Sequence, residues 1–349
     1  MSWVARLDRF QRRHRLVSYP LAVVYKFFED QGAYLAALVT YYGLLSLVPL
    51  LLLLSTVLGY VLAGDPGAQD AIVNSAAGQI PVIGDEIGDP GKLGGGGAGL
   101  AIGIAGALYG SLGVGLAVQN AVNVAWGIPR NERPNPFKSR LRSLLLMVTA
   151  GLFVVGTTVL NIVLGDVIGG GSDTLLRWLS RIGYTALAAV GFTMAFWLAA
   201  AHRPAFRTVL PGALTMAVVW QFLQRFGQNL VGLVSDRTSV SNQVFTAILG
   251  LIAFLFVTSC CVVLCVEADV VRSRRLFPRA LLTPFTDAVE LTDGDQRAYT
   301  RIAQAQRHKG FERVHVEFDA SPLQLRRAAE AGGEEGADRD LERVVEDDR

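Results

Sequence analysis

Five polar side chains recur at spacings of one, three and four along one apolar stretch: Gln221, Gln224, Arg225, Gln228 and Asn229. On a helix this spacing gathers most of them on one face. A guanidinium flanked by carboxamides is suited to holding an anionic group, since arginine presents several donors and no acceptor. Bond-making chemistry has weaker support. Cys260, Cys261 and Cys265 sit together in an apolar run, without the histidine partners or paired spacing of a zinc site. His14, His202, His308 and His315 stand apart from any nucleophile. Ser46 and Ser111 lack the G-x-S-x-G context of an activated serine, and no phosphate-binding loop is present. The expectation is a protein without catalytic residues, metal or cofactor, whose chemistry is binding.

The elements that must position these groups are long and apolar. A bilayer core of about 30 Å needs roughly 20 apolar residues in a helix. Six segments meet this: Ala33–Leu62, Gly99–Trp126, Leu141–Gly165, Ile182–Ala201, Thr208–Val234 and Val244–Val271. Half the chain (51%) is hydrophobic. Uncharged runs such as Leu44–Leu54 argue against a large soluble core.

Basic residues between the spans set an orientation. The first connection set (Arg6, Arg9, Arg12, Arg13, Arg15, Lys26; Arg130, Arg133, Lys138, Arg140, Arg142; Arg203, Arg207; Arg272, Arg274, Arg275, Arg279) holds 17 cations. The opposite set holds four, Lys92, Arg177, Arg181 and Arg237. The fold expected is therefore all-α: a polytopic membrane protein with six transmembrane helices and both termini cytoplasmic. Arginine outnumbers lysine 28 to 4, which points to a GC-rich genome and hence to a bacterium.

Depth decides how the polar stripe reads. Counted from Thr208 at the inner side, Arg225 lies about 25 Å along its helix, near the outer interface. Two readings are open. Arg225 can snorkel to outer headgroups while its neighbours bond to adjacent helices. Alternatively, the stripe forms a polar vestibule, open outward, that meets a headgroup or an anionic solute. Other polar groups also sit near span ends: Gln119, Asn120 and Asn123 at the inner end of the second, Asn161 and Asp166 at the outer end of the third, and Glu267 and Asp269 at the inner end of the sixth. Glu267 reads as a structural ion pair with basic residues one turn away.

Gly99, Gly103, Gly106, Gly110 and Gly113 recur every three or four residues in the second span. Such a face lets another helix approach closely. No strand precedes these glycines, which argues against a dinucleotide site. Pro49 is expected to kink the first span. Pro211, followed by Gly212, reads as the first turn of the fifth.

The chain divides into residues 1–32, a basic segment with an amphipathic interfacial helix over Tyr19–Gly32; 33–280, the membrane domain; and 281–349, a cytosolic tail. Residues 1–280 carry 22 basic and 14 acidic side chains, and residues 281–349 carry 10 and 16. Within the tail, Thr292–Lys309 suggests a helix capped by Thr292 or Asp293. Arg313–Phe318 alternates weakly like a strand, and the chain beyond Ser321 has the composition of disorder. No cleavable signal peptide is legible, because the basic start is not followed by a clean apolar core.

Several segments carry a resemblance. ALVTYYGLLSLVP, ending at Pro49, resembles the opening signature of the YihY/BrkB family of bacterial inner-membrane proteins. ALYGSLGVGLAVQNAVNVAWGIPR (Ala107–Arg130), HRPAFRTVLPGALTMAVVW (His202–Trp220) and VEADV (Val266–Val270) resemble its second span, its fourth-to-fifth connection and its final acidic signature. The chain departs from the family pattern at Asn242–Phe245, where a Tyr-Gly pair is usual, and at Cys265–Val266, where Gly-Ala is usual. The resemblance implies a six-span inner-membrane protein. Members have been labelled virulence or serum-resistance factors, transporters and, historically, a ribonuclease. No acid–base pair or metal cluster for that last activity is legible in the sequence.

The function expected is transport or handling of an envelope lipid or other amphiphile, with membrane lipids as partners and Gln221, Gln224, Arg225, Gln228 and Asn229 as the binding groups. Pro49, Glu267 and Asp269 are the candidates for structural or gating roles. The alternatives are a scaffold that recruits partners through the acidic tail, and a membrane enzyme. A homo-oligomer is compatible with this reading, and specific nucleic-acid binding is not expected.

Overall fold

The transition from α2 (Arg15–Glu29) to α3 (Gly32–Val61) turns on Gln31, which adopts a left-handed backbone with φ 55°. The end of α2 is also fastened by an ion pair one turn long, Lys26 to Asp30, at 2.5 Å. The computed structural model describes residues 3–61, 97–168, 174–235 and 240–325. Before α2 comes α1 (Trp3–Arg13). After α3 follow α4 (Gly97–Ala125), a 3-10 turn at Arg130–Glu132, α5 (Pro136–Ile168), α6 (Thr174–Ala199), α7 (Phe206–Ser235), α8 (Val240–Arg274) and α9 (Asp293–Ala305). Gly127, at φ 62°, ends α4 in the left-handed conformation that glycine adopts without steric cost.

Among the described residues there is no strand. Arg313–Phe318 carries none, because no second strand is there to pair with it. Within the described residues, each of the six expected apolar segments falls mostly on one of the helices α3 to α8. Among the described residues, four helices have stretches long and apolar enough to cross a membrane: Pro136–Thr157, Ser180–Ala199, Phe206–Gly227 and Ile248–Arg274. Their outward faces are apolar as well. Leu152, Val155, Ile182, Val190, Leu214, Val218 and Phe222 are all exposed, which suits a lipid solvent and not water.

Packing divides the chain into two units. One comprises Gln31–Trp126 and Arg133–Asp269; the other comprises Met1–Asp30, Gly127–Glu132 and Val270–Arg349. Charge composition, by contrast, marks boundaries at residues 32 and 280. Composition registers solvent and lipid preference, whereas packing registers which side chains touch.

The apolar unit is a circuit of helices. α3 packs on α4, α4 on α5, α5 on α6 and α6 on α7. The Trp220 and Phe254 rings, 6.2 Å apart, join α7 to α8. Thr40 Oγ1, 3.3 Å from Ser259 Oγ, joins α8 back to α3. The α3–α4 seam depends on absent side chains. A Cβ on Gly110 would lie 2.5 Å from Ser46 Cα, and one on Gly113 would lie 2.1 Å from the Tyr42 ring. On the opposite face of α4, a Cβ on Gly115 would lie 2.6 Å from Ser143 of α5. Gly106 is half-buried. The surroundings of Gly99, Gly103 and Pro49 lie outside the described part of the structure, although α3 runs through Pro49 and α4 through both glycines.

The second unit is built on a buried cation. Arg279 is fully buried, and its guanidinium forms a two-pronged pair with Glu29 of α2. Its Nε donates to Asp295 of α9. Asp295 is itself the third residue of a capping box, accepting from Thr292 N at 2.9 Å and from Ala280 N at 2.9 Å. Thr292 is thus the N-cap, as its sequence position suggests. Gln11 of α1 donates to the Arg279 carbonyl, and Asp8 accepts from Leu281 N at 2.9 Å. Burial alone would lower the Arg279 pKa, but the hydrogen bonds and charges of Glu29 and Asp295 outweigh it and raise it. Burial also raises the Tyr25 and Tyr299 phenols flanking this guanidinium, so both stay protonated.

The amphipathic helix expected over Tyr19–Gly32 begins earlier, at Arg15, and ends at Glu29. Val24 and Phe28 face outward, whereas Ala22, Tyr25 and Lys26 face inward. The chain after Leu325, where disorder is expected, lies outside the described residues, as do residues 94–96 of the glycine run.

Candidate functional site

The stripe on α7 faces α6 over part of its length. α6 and α7 are joined by a short connection, so they run antiparallel. Ala188 and Ala189 of α6 form a buried cluster with Ala217 of α7, and these small side chains bring the two backbones together. One turn further along α7, half-buried Gln221 donates through Nε2 to Thr185 Oγ1 of α6. Thr185 in turn donates to the Arg181 carbonyl at 2.7 Å. A carboxamide in an apolar helix pair is costly unless bonded, and this bond is its partner.

Arg225 lies one turn beyond Gln221 and is exposed. It stands between Phe222 and Phe226, which are 65% and 62% exposed. From Phe206, the start of α7, it lies about 28 Å along the axis at 1.5 Å per residue. Gln224 is half-buried. Gln228 and Asn229 are helical, but their side chains lie outside the described part of the structure. Gln221 is therefore turned toward α6, while Arg225 emerges on an aromatic outer face.

The sequence alone did not single out the α6 side of this pair. Arg181 lies over the Trp178 ring, its guanidinium carbon 5.4 Å from the centroid, and both are exposed. Their signal was present in the spacing of Trp178, Arg181 and Thr185, three and four residues apart. It could not be read without knowing that α7 faces them.

A second polar site lies at the other end of α7. Pro211 is not in the first turn: α7 begins at Phe206 and places Pro211 in its second turn. Proline there has no amide to give to the preceding turn. The next amide, that of Gly212, donates to Asp269 Oδ1 of α8 at 2.9 Å. A Cβ on Gly212 would lie 2.3 Å from Asp269 Oδ2 and 2.5 Å from the Cys265 carbonyl oxygen, so glycine permits the contact. Glu267 and Asp269 are both buried.

At the ends of α4 to α6, Gln119 Nε2 lies 2.9 Å from both Ser143 Oγ and the Ser139 carbonyl. Asn123 Oδ1 accepts from Ala201 N at 2.8 Å, and Arg133 donates to Asn120 Oδ1 at 3.0 Å. Arg142 donates to the Ala200 carbonyl at 3.2 Å. These groups satisfy backbone and loop ends, and they join helices. Among the described residues, no three His, Cys, Asp or Glu side chains are grouped to hold a metal ion.

A chain whose described residues form helices and no strand, with several membrane-length apolar helices, apolar outward faces and polar groups joining its helix ends, is an integral membrane protein. Residues 23–286 match the family model described as Virulence factor BrkB, and the chain belongs to that family. Neither a curated protein nor a solved structure matches the chain.

Proposed function

We propose that the protein crosses a bacterial cytoplasmic membrane six times, with both termini inside, and moves or presents an envelope amphiphile without covalent chemistry. The carrying observation is Arg225: a cation exposed between two exposed phenylalanines, far along α7. A charge on a lipid-facing surface near an interface is matched to an anionic headgroup, while the neighbouring aromatic rings suit acyl chains. Support for the orientation comes from the 17-to-four bias in basic residues between alternate connections. Gln221, Gln224, Gln228 and Asn229 belong to the same helix and are the further polar groups of this reading. The test is movement of a labelled anionic phospholipid across proteoliposome membranes. Arg225→Ala with Gln228→Ala is expected to abolish the protein-dependent component. Movement equal to that of the unaltered protein would overturn the assignment.

A second reading, a scaffold that recruits partners through the tail, is favoured by one observation: residues 276–299 are folded around Arg279. Truncation after Leu325 removes the acidic end and leaves that hub intact. Loss of function in this truncated protein, with membrane insertion unchanged, would favour the scaffold.

A further inference from the structure

The α6–α7 pair carries two arginines on one rung. Its register is set by Ala188 and Ala189 against Ala217 and by Thr185 against Gln221. Arg181 lies four residues before Thr185, and Arg225 four residues after Gln221. In an antiparallel pair, both steps lead in the same direction, so the two cations lie at the same height, one turn beyond the Gln221–Thr185 bond. Adjacent helix axes are about 8–10 Å apart, a span that two arginine side chains can close upon a shared group. Both are exposed, and among the described residues neither belongs to an ion pair. Like charges on one rung repel each other, more strongly as the surrounding dielectric falls. An anion between them converts that repulsion into two attractions.

We propose that Arg181 and Arg225 together bind the phosphate of an anionic lipid headgroup, with Trp178, Phe222 and Phe226 against the lipid's apolar part. This rests on the amphiphile reading above and adds a ligand class and a second cation. Phosphate suits the site because each guanidinium can meet two of its oxygens. A lipid source suits it because the flanking rings are exposed: Trp178 by 57%, Phe222 by 65% and Phe226 by 62%. Tryptophan also favours the membrane–water boundary, with its ring apolar and its edge polar. Gln221 is a positioning residue here, because its bond to Thr185 holds the rung in register.

The test uses the full chain in detergent micelles, titrated with phosphatidylglycerol or phosphatidylcholine, with lipid-bound states resolved by native mass spectrometry. Arg181→Gln and Arg225→Gln are each expected to weaken phosphatidylglycerol binding roughly tenfold or more, the size of a lost charge-assisted hydrogen bond. The double variant should lose little beyond either single variant, because both arginines serve one site. Phosphatidylcholine, whose choline cation offsets its phosphate, should bind more weakly to the unaltered protein and lose less in the variants, and the melting temperature should not change. Loss in Arg225→Gln alone would overturn the two-arginine site while leaving the amphiphile reading in place. Full binding dependence on both arginines, with lipid movement unaffected by Arg225→Ala, would support the site and overturn the transport reading. Displacement of the lipid by inorganic phosphate at equal concentration would overturn the lipid source in favour of a soluble phosphate.

Discussion

Gly212 tolerates no side chain where it stands. Its amide meets the Asp269 carboxylate at 2.9 Å, and the space a methyl group would take is occupied by Asp269 and the Cys265 carbonyl. Two changes separate these contributions. Asp269→Asn keeps an acceptor oxygen, whereas Asp269→Ala leaves the Gly212 amide without it, at a cost of about 1–3 kcal/mol. Gly212→Ala forces α7 away from α8 and is expected to cost a similar amount, about 1–3 kcal/mol. Thermal unfolding in detergent should rank the proteins as unaltered, Asp269→Asn, then Asp269→Ala and Gly212→Ala together at the bottom. An unchanged midpoint in Gly212→Ala would show that the α7–α8 contact is looser than its geometry indicates. Pro211 and Gly212 were legible in the sequence as a pair, but their role was not. A proline–glycine pair marks helix starts often enough that the local signal points there, and the acceptor lies 57 residues away.

Among the elements, α2 and α9 meet through one side chain, Arg279, and α1 bonds to the backbone on either side of it. Arg279 is fully buried, as is Asp295, and Glu29 is partly exposed. Removing one member of a buried charge cluster leaves the others uncompensated, which costs about 3–5 kcal/mol. Arg279→Met should therefore release α2 from α9 and loosen the backbone to which α1 bonds, seen as faster amide exchange first in Tyr25 and Asp295 and then in Gln11. Arg279→Lys retains the charge but loses the two-pronged pairing, and should give an intermediate rate. Equal exchange in all three proteins would mean that apolar contacts alone hold the helices. The sequence offered Arg279 only as one of many cations near a membrane segment. Its partners are 250 residues upstream and 16 downstream, distances that no local pattern encodes.

For the whole molecule, crossing number and orientation are the properties to measure. With Cys260, Cys261 and Cys265 replaced, single cysteines at Lys92 and Arg237 are expected to react with an impermeant maleimide on intact spheroplasts. Cysteines at Arg207 and Ser321 are expected to react only after lysis. Labelling at Arg207 from outside would refute the six-crossing arrangement with both termini inside. The proposal of an outer-leaflet phosphate site stands at this scale too, since it needs the Arg181–Arg225 end of the α6–α7 pair to face outward.

The helices themselves follow from sequence. Apolar runs of membrane length cannot leave backbone groups unbonded in lipid, so each run must close its own hydrogen bonds as a helix. The glycine spacing of α4 likewise announces that another helix comes close, and Thr292 announces the start of α9. Tertiary structure alone decided which faces meet. Gly110 and Gly113 oppose Ser46 and Tyr42 of α3, Gly115 opposes Ser143 of α5, and Gln221 turns to Thr185, leaving Arg225 exposed. The reason is physical: helical periodicity is a one-dimensional pattern that says which residues share a face. The partner of that face is chosen by shape, by the need to bond buried polar groups, and by chain connections that bring distant segments together.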